Sequence, residues 1–286
     1  MLLSNTLLLC LAFGSQSSEP LIRKDIEFAR VGTQSLQLDL YLPAKGKKAP
    51  LIVWVHGGAW RAGSRKSMPL GQLVDKGWAV ASVDYRLSPV AKFPAQVHDI
   101  KAAIRFLRAH EKKYGYDAKR IVIAGGSAGG HLAALVGVTN GVQELEGTVG
   151  NQLDQSSDVQ AVVSFYGASN LQSILKQSTP HGLSVRVPAL KLLLGGRPEE
   201  KPELARLASP VTHVDAKDPP LLLIHGDQDI QMPINQAHEL HGMYLKRKRP
   251  VEFVVVYGGG HGGKQFYDAT MLTRVHNFLL KHSVNH

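Results

Sequence analysis

Ser127 stands in Gly125-Gly126-Ser127-Ala128-Gly129, a G-x-S-x-G pentapeptide. The strand-forming run Ile121-Val122-Ile123 precedes it, and the helix-favouring His131-Leu132-Ala133-Ala134-Leu135 follows. A strand that turns this sharply into a helix leaves no room for side chains at the flanking positions and lifts the serine hydroxyl out of the sheet. The helix start aims backbone N–H groups and a positive dipole end at the same point. This context favours a nucleophile for acyl transfer over a plain Gly/Ser turn. Such a serine needs a base, an acid to orient that base, and donors for the tetrahedral oxyanion.

Residues of the required types follow three other apolar runs. His56-Gly57-Gly58-Ala59-Trp60 comes directly after Leu51–Val55. Its glycine-rich backbone would let a substrate approach, and the N–H groups of Gly58 and Ala59 would join that of Ala128 as oxyanion donors. His56 is read as tying down this loop with Gly57, because a base here would leave His261 without a role. His261 follows Val251–Val256, and His225-Gly226-Asp227-Gln228-Asp229 follows Leu221–Ile224. Residues two apart in an extended chain point the same way, so alternation does not choose between Asp227 and Asp229. The chain order Ser, Asp, His is the one an α/β-hydrolase triad requires.

The elements that must position these residues alternate in kind. Ile26–Val31 and Leu36–Leu42 read as a hairpin across Gly32-Thr33. Leu51–Val55, Ala79–Tyr85, Ile121–Ile123, Val159–Tyr166, Leu221–Ile224 and Val251–Val256 are runs of buried-strand type. Gln96–Glu111 carries Val97, Ile100, Ile104 and Leu107 on one helical face, and Ile234–Leu245 and Tyr267–Leu280 also read as helices. Alternation of this kind predicts an α/β fold, a mostly parallel sheet with helices on both faces, and a site at the carboxyl ends of the strands. Thr139–Ser157 and Gly167–Pro220 break the rhythm and are expected to be irregular excursions beside the site.

Composition excludes several other chemistries. The 286 residues are 44% hydrophobic and 20% charged, which rules out a disordered or fibrous chain. The formal net charge is +10, but the only dense basic run, Lys246-Arg247-Lys248-Arg249, ends an expected helix, where cations suit the dipole. Without a recognition module, it does not indicate a nucleic-acid partner. The single cysteine, Cys10, excludes a disulfide scaffold and cysteine-ligated zinc in the body. His238 and His241 lack the spacing of a zinc helix, so neither metal nor organic cofactor is expected. No apolar run reaches membrane-spanning length, so stable membrane insertion is not expected. Leu7–Phe13 followed by Gly14 and a Ser/Gln stretch reads as a signal peptide, although no basic residue precedes it. Residues 1–19 are therefore expected to be leader and linker, residues 20–286 one catalytic domain, and the protein secreted or periplasmic. Trp54 is read as core, Trp60 as lining the substrate pocket, His131 as packing at its helix start, and Asp84 with Arg86 as an internal ion pair.

From about Ile26 to Leu280 the chain resembles the hormone-sensitive-lipase-like carboxylesterases of the α/β-hydrolase fold, above all the BD-FAE group of feruloyl and acetylxylan esterases. The resemblance is carried by His56–Trp60, Asp84-Tyr85-Arg86-Leu87-Ser88, Phe93-Pro94-Ala95, Gly126–His131 and His225–Asp229. It implies an α/β-hydrolase domain with a small cap or lid excursion, acting on a small-molecule or polysaccharide ester. Through the pattern H-G-x-x-D it implies Asp229 as the acid, with Ser127 as nucleophile and His261 as base. Ala59 departs from the third glycine common in lipase-like relatives. With Trp60 it also resembles the H-G-G-x-W motif of kynurenine formamidases, so an amide hydrolase with the same triad is the rival enzyme. A non-catalytic binding module is the rival without chemistry, but such modules usually lack a triad member and none is missing here.

Overall fold

In the computed structural model, which describes residues 19–44 and 48–283, eight strands form one sheet. They are β1 (Leu21–Val31), β2 (Gln34–Leu42), β3 (Ala49–Val55), β4 (Ala79–Val83), β5 (Tyr116–Gly126), β6 (Val162–Phe165), β7 (Leu221–Gly226) and β8 (Val251–Val256). Their spatial order is β1-β2-β4-β3-β5-β6-β7-β8; β2 runs antiparallel to both neighbours, and every other pairing is parallel. The opening hairpin pairs Val31 with Gln34 and turns at Gly32, whose φ of 56° is the left-handed conformation that such two-residue turns need.

Helices α1 (Gly71–Asp75), α2 (Ala95–Ala109), α3 (Glu111–Tyr114), α4 (Ala128–Gly137) and α5 (Gln143–Glu146) belong to the first half of the chain. Helices α6 (Ile174–Gln177), α7 (Pro180–Leu194), α8 (Pro202–Leu207), α9 (Asn235–Lys246) and α10 (Ala269–Ser283) follow. Strand alternation divides the apolar side chains between two cores. Leu51, Val53 and Val55 of β3 join Ile100 and Ile104 of α2 and Leu132 and Leu135 of α4 on one face. Ile52 and Trp54 join Leu73 of α1 and Leu272 and Val275 of α10 on the other. Each such side chain, fully buried, stabilises the fold by about 1.5–3 kcal/mol. Burial on both faces is why β3 and β7 read as continuous apolar runs.

Two expectations are corrected. Gly167–Pro220 is not irregular: it contains α6, α8 and the fifteen-residue α7. Thr179 caps α7 by accepting from Gly182 N–H at 3.0 Å, Pro180 opens it, and Gly195 closes it with a φ of 78°. Its apolar periodicity is weak because Gly182 and Arg186 sit on the buried face and Pro188 lies inside the helix. Asp84 and Arg86 do not pair with each other. β4 ends at Val83, so the two side chains diverge: Asp84 engages Arg65 (2.5 Å), and Arg86 reaches Asp99 on α2 (2.7 Å).

Thr139–Ser157 holds only the single turn α5, pinned where buried Lys101 donates to the Thr139 carbonyl at 2.8 Å. No helix among the described residues is long and apolar enough to cross a membrane. The segment read as a signal peptide lies, apart from Glu19, outside the described residues.

Candidate active site

Because β3, β5, β7 and β8 are mutually parallel, their carboxyl ends share one edge of the sheet, and the four singled-out loops start there. Ser127 sits between β5 and α4 with φ 56° and ψ −118°, a conformation rare for a residue with a side chain. The turn closes only on glycine at its flanks. A Cβ on Gly125 would lie 2.2 Å from Gly129 O, and one on Gly129 would lie 2.0 Å from Val55 O. Ser127 N–H donates to Phe165 O at 2.9 Å, which ties the turn to the neighbouring strand.

The structure brings Ser127, His261 and Asp229 into one chain of contacts. Ser127 Oγ is 2.8 Å from His261 Nε2, and His261 Nδ1 is 2.7 Å from Asp229 Oδ2. The other carboxylate oxygen accepts from Gln231 N–H at 2.9 Å and Met232 N–H at 2.8 Å. Asp227 is turned away and accepts from Gly258 N–H at 2.7 Å. With an acceptor-only carboxylate on Nδ1, the imidazole proton belongs there, leaving Nε2 to accept from the serine. His225 had drawn notice only as part of its motif. It is buried 3.4 Å from Asp229 Oδ2 and bonds Met232 O at 2.9 Å.

Burial alone would raise the Asp229 carboxyl. Hydrogen bonds from His225 and His261 outweigh it and hold the group ionised well below the usual carboxylate range. Burial lowers the His261 imidazole below its ordinary value, against the opposing pull of Asp229. The neutral form, which can accept a proton, therefore persists into more acidic solution than an ordinary histidine allows. The acid limb of kcat/KM against pH, measured on a short acyl ester, is expected to have its midpoint below about 6.5. A midpoint at or above that value would contradict the assignment of His261 as base.

The loop after β3 is held by His56 and Tyr85. The His56 ring stacks on Tyr85 at 4.4 Å, its Nδ1 lies 2.7 Å from Gly57 O, and Tyr85 O–H donates to His56 O at 3.1 Å. Burial lowers the His56 imidazole, consistent with a neutral structural ring. Gly58, Ala59 and Trp60 all take positive φ, and Gly58 O accepts from Arg61 and Ala62 at 3.0 Å. The N–H groups of Gly58, Ala59 and Ala128 have no acceptor among the described residues, so they are available to an oxyanion.

A cavity of about 390 Å³ opens beside Ser127, lined by Gly57, Gly58, Gly126, Trp54, Tyr166 and Tyr267, with Ser67 and Pro69 also contributing. Here the role expected for Trp60 is corrected. Trp60 does not line this cavity: it is fully buried and donates to His131 Nδ1 at 3.0 Å, while His131 Nε2 donates to Ala208 O at 2.7 Å. Burial pushes His131 down to about 4, so it stays neutral and links the loop after β3, α4 and the end of α8. Trp54, near the end of β3, belongs to the core as expected and also borders the cavity. Tyr166 and Tyr267 lie in no motif and were not foreseen.

Nor was Arg186 of α7. It is fully buried over the Trp60 ring, 6.0 Å from its centroid, and donates through Nε to Gln231 O at 3.3 Å. Both of its Nη groups are buried without a hydrogen-bond partner among the described residues, and burial lowers the guanidinium to about 10. No cluster of side chains suited to a metal ion occurs among the described residues. His238 and His241 lie instead on α9 against Phe253, at 5.0 and 5.7 Å.

The sequence profile of the BD-FAE family matches residues 38–244. Esterase LipC of Mycobacterium tuberculosis is 35% identical over 224 residues, which cover 76% of this chain and 53% of LipC. Isoprenylcysteine alpha-carbonyl methylesterase of Arabidopsis thaliana is 33% identical over 237 residues, covering 79% of this chain and 53% of the relative. The chain thus spans about half the length of these curated relatives. Among solved structures, a truncated carbohydrate esterase from gut microbiota superposes with a TM-score of 0.86 at 34% identity, covering 95% of this chain and 99% of the other. A thermophilic esterase of Thermogutta terrifontis gives 0.74 at 26% identity, with 95% of each chain covered.

Proposed function

The chain belongs to the BD-FAE family of α/β-hydrolase-fold esterases, and from that premise we propose that it hydrolyses carboxylic esters through an acyl-enzyme on Ser127. The observation that carries this reading is the unbroken chain Ser127–His261–Asp229 beside the cavity, at 2.8 and 2.7 Å. Ser127 Oγ attacks the acyl carbonyl while His261 Nε2 takes its proton. Asp229 holds Nδ1–H and stabilises the imidazolium. The N–H groups of Ala128, Gly58 and Ala59 receive the oxyanion. Its collapse expels the alcohol, which leaves with the proton from His261; water then attacks the acyl-enzyme in the same way and releases the acid and free serine.

For substrate we propose short acyl or feruloyl esters of carbohydrates. Similarity to a carbohydrate esterase over nearly the whole chain supports this, and a net charge of +10 suits polymers bearing uronic acids. We read residues 20–286 as the catalytic unit and propose export, from the apolar run at the N-terminus, as the location that meets such a polymer. A panel of acetyl and longer acyl esters, methyl ferulate, acetylated xylan and N-formylkynurenine tests the reading. Short acyl esters are expected to be turned over faster than the formamide. A tenfold or greater preference for the formamide in kcat/KM would assign the amide chemistry instead.

A further inference from the structure

The aromatic rings around the cavity have not all spent their polar ends. Trp54 gives its indole N–H to Ser67 O at 2.7 Å, so toward the cavity it offers only ring surface. Tyr166 and Tyr267 meet hydroxyl to hydroxyl at 2.7 Å. Each phenol has one proton to give and lone pairs to accept with. Their mutual bond uses one proton, which leaves one O–H and further acceptor capacity for a third group. A Cβ built on Gly126 would be 2.9 Å from the Tyr267 hydroxyl and 3.2 Å from that of Tyr166. Both hydroxyls therefore stand over the residue that immediately precedes Ser127.

The pair is held in place from several sides. Tyr166 presents its ring to His261 at 4.9 Å and 64° and to Phe266 at 4.9 Å and 82°. Tyr267 packs on Phe165 at 5.0 Å and edge-on to Trp54 at 6.1 Å. Tyr166 keeps a φ of 40°, uncommon for an aromatic residue, while its N–H donates to Ile224 O at 2.7 Å. Burial raises both phenols above their ordinary value, so both remain protonated donors in neutral solution.

The cavity is an open cleft with room for more than an acetyl group. At about 30 Å³ for a water-sized unit, the 390 Å³ space holds roughly a dozen non-hydrogen atoms. That is a ring, far more than a two-carbon acyl chain. A flat group against Trp54 would bring one of its substituents to the two hydroxyls.

Building on the proposed ester hydrolysis, we infer that the Tyr166–Tyr267 hydroxyl pair determines specificity by selecting esters whose cavity-bound ring carries a hydroxyl group. The ring could be a sugar on the alcohol side or a phenol on the acyl side; the recognition is the same. A hydroxyl would complete a three-member network, whereas an analogue without one would bury the unspent O–H unpaired.

Two matched pairs of esters test this and separate the two sides. One is trans-2-hydroxycyclohexyl acetate against cyclohexyl acetate; the other is methyl 4-hydroxycinnamate against methyl cinnamate. The wild type is expected to favour the hydroxylated member of one pair by roughly tenfold in kcat/KM. Tyr267→Phe and Tyr166→Phe should each reduce that ratio by about threefold or more. Taking the ratio within each pair removes any general loss of rate from a disturbed His261. Suppose p-nitrophenyl acetate is hydrolysed, but the ratios are near unity or unmoved by either variant: the inference then fails while ester hydrolysis stands. Absence of p-nitrophenyl acetate hydrolysis by the wild type would remove the underlying reading itself.

Discussion

Ser127→Ala is expected to lower kcat on short acyl esters by on the order of 10⁶, because without Oγ no acyl-enzyme can form. The variant should fold: alanine removes one oxygen, and the Ser127 N–H bond to Phe165 O and the glycine contacts around the turn do not depend on it. An organophosphonate should label the wild type once, at Ser127, and leave the variant unlabelled. Peptide mapping by mass spectrometry reads the label, and steady-state kinetics reads the rate. Activity above roughly a hundredth of wild type would mean that another group attacks the carbonyl.

The second large effect concerns the choice between two aspartates. In Asp229→Asn the amide oxygen can keep the bonds from Gln231 and Met232 N–H, which turns its NH₂ toward His261 Nδ1. Nδ1 must then accept, the imidazole proton moves to Nε2, and the ring can no longer take a proton from Ser127. Such a tautomer error can cost about 10⁴ in kcat, and a loss of at least about a hundredfold is expected here. The thermal midpoint should move little, since the backbone bonds survive. In Asp227→Asn the amide oxygen can still accept from Gly258 N–H, so most activity should remain. Exchanged phenotypes would transfer the acid role to Asp227 and leave ester hydrolysis intact.

What could be read in advance depended on whether the signal was local. β3 and β7 are continuous apolar runs to which the structure adds two residues each, whereas β8 keeps its expected span but is an edge strand with only Val254 buried. β5 begins at Tyr116, five residues before its apolar run, because Tyr116 and Asp117 pair with Ala49 and Pro50 through contacts with no periodic pattern. The elbow, the loop after β3 and the His225–Asp229 turn were legible because each compresses its geometry into five adjacent residues. Asp229 faces His261 and Asp227 does not, a difference created by the chain turning after Gly226. Trp60 is buried away from the cavity because a motif shows where a side chain begins and not where its ring ends. Tyr166 and Tyr267, 101 residues apart, meet only once the sheet is assembled.

Arg186 has a consequence for how this protein would change under selection. Desolvating a guanidinium costs several kcal/mol, and among the described residues its two Nη groups find no hydrogen-bond acceptor to offset that cost. A lineage selected for endurance at high temperature alone would replace it early with methionine or leucine, which fill similar space without a charge. That replacement would also release a side chain that joins α7 to the Trp60 ring and to the Gln231 carbonyl, two positions beyond Asp229. Heat resistance and the anchoring of α7 thus pull on the same residue in opposite directions.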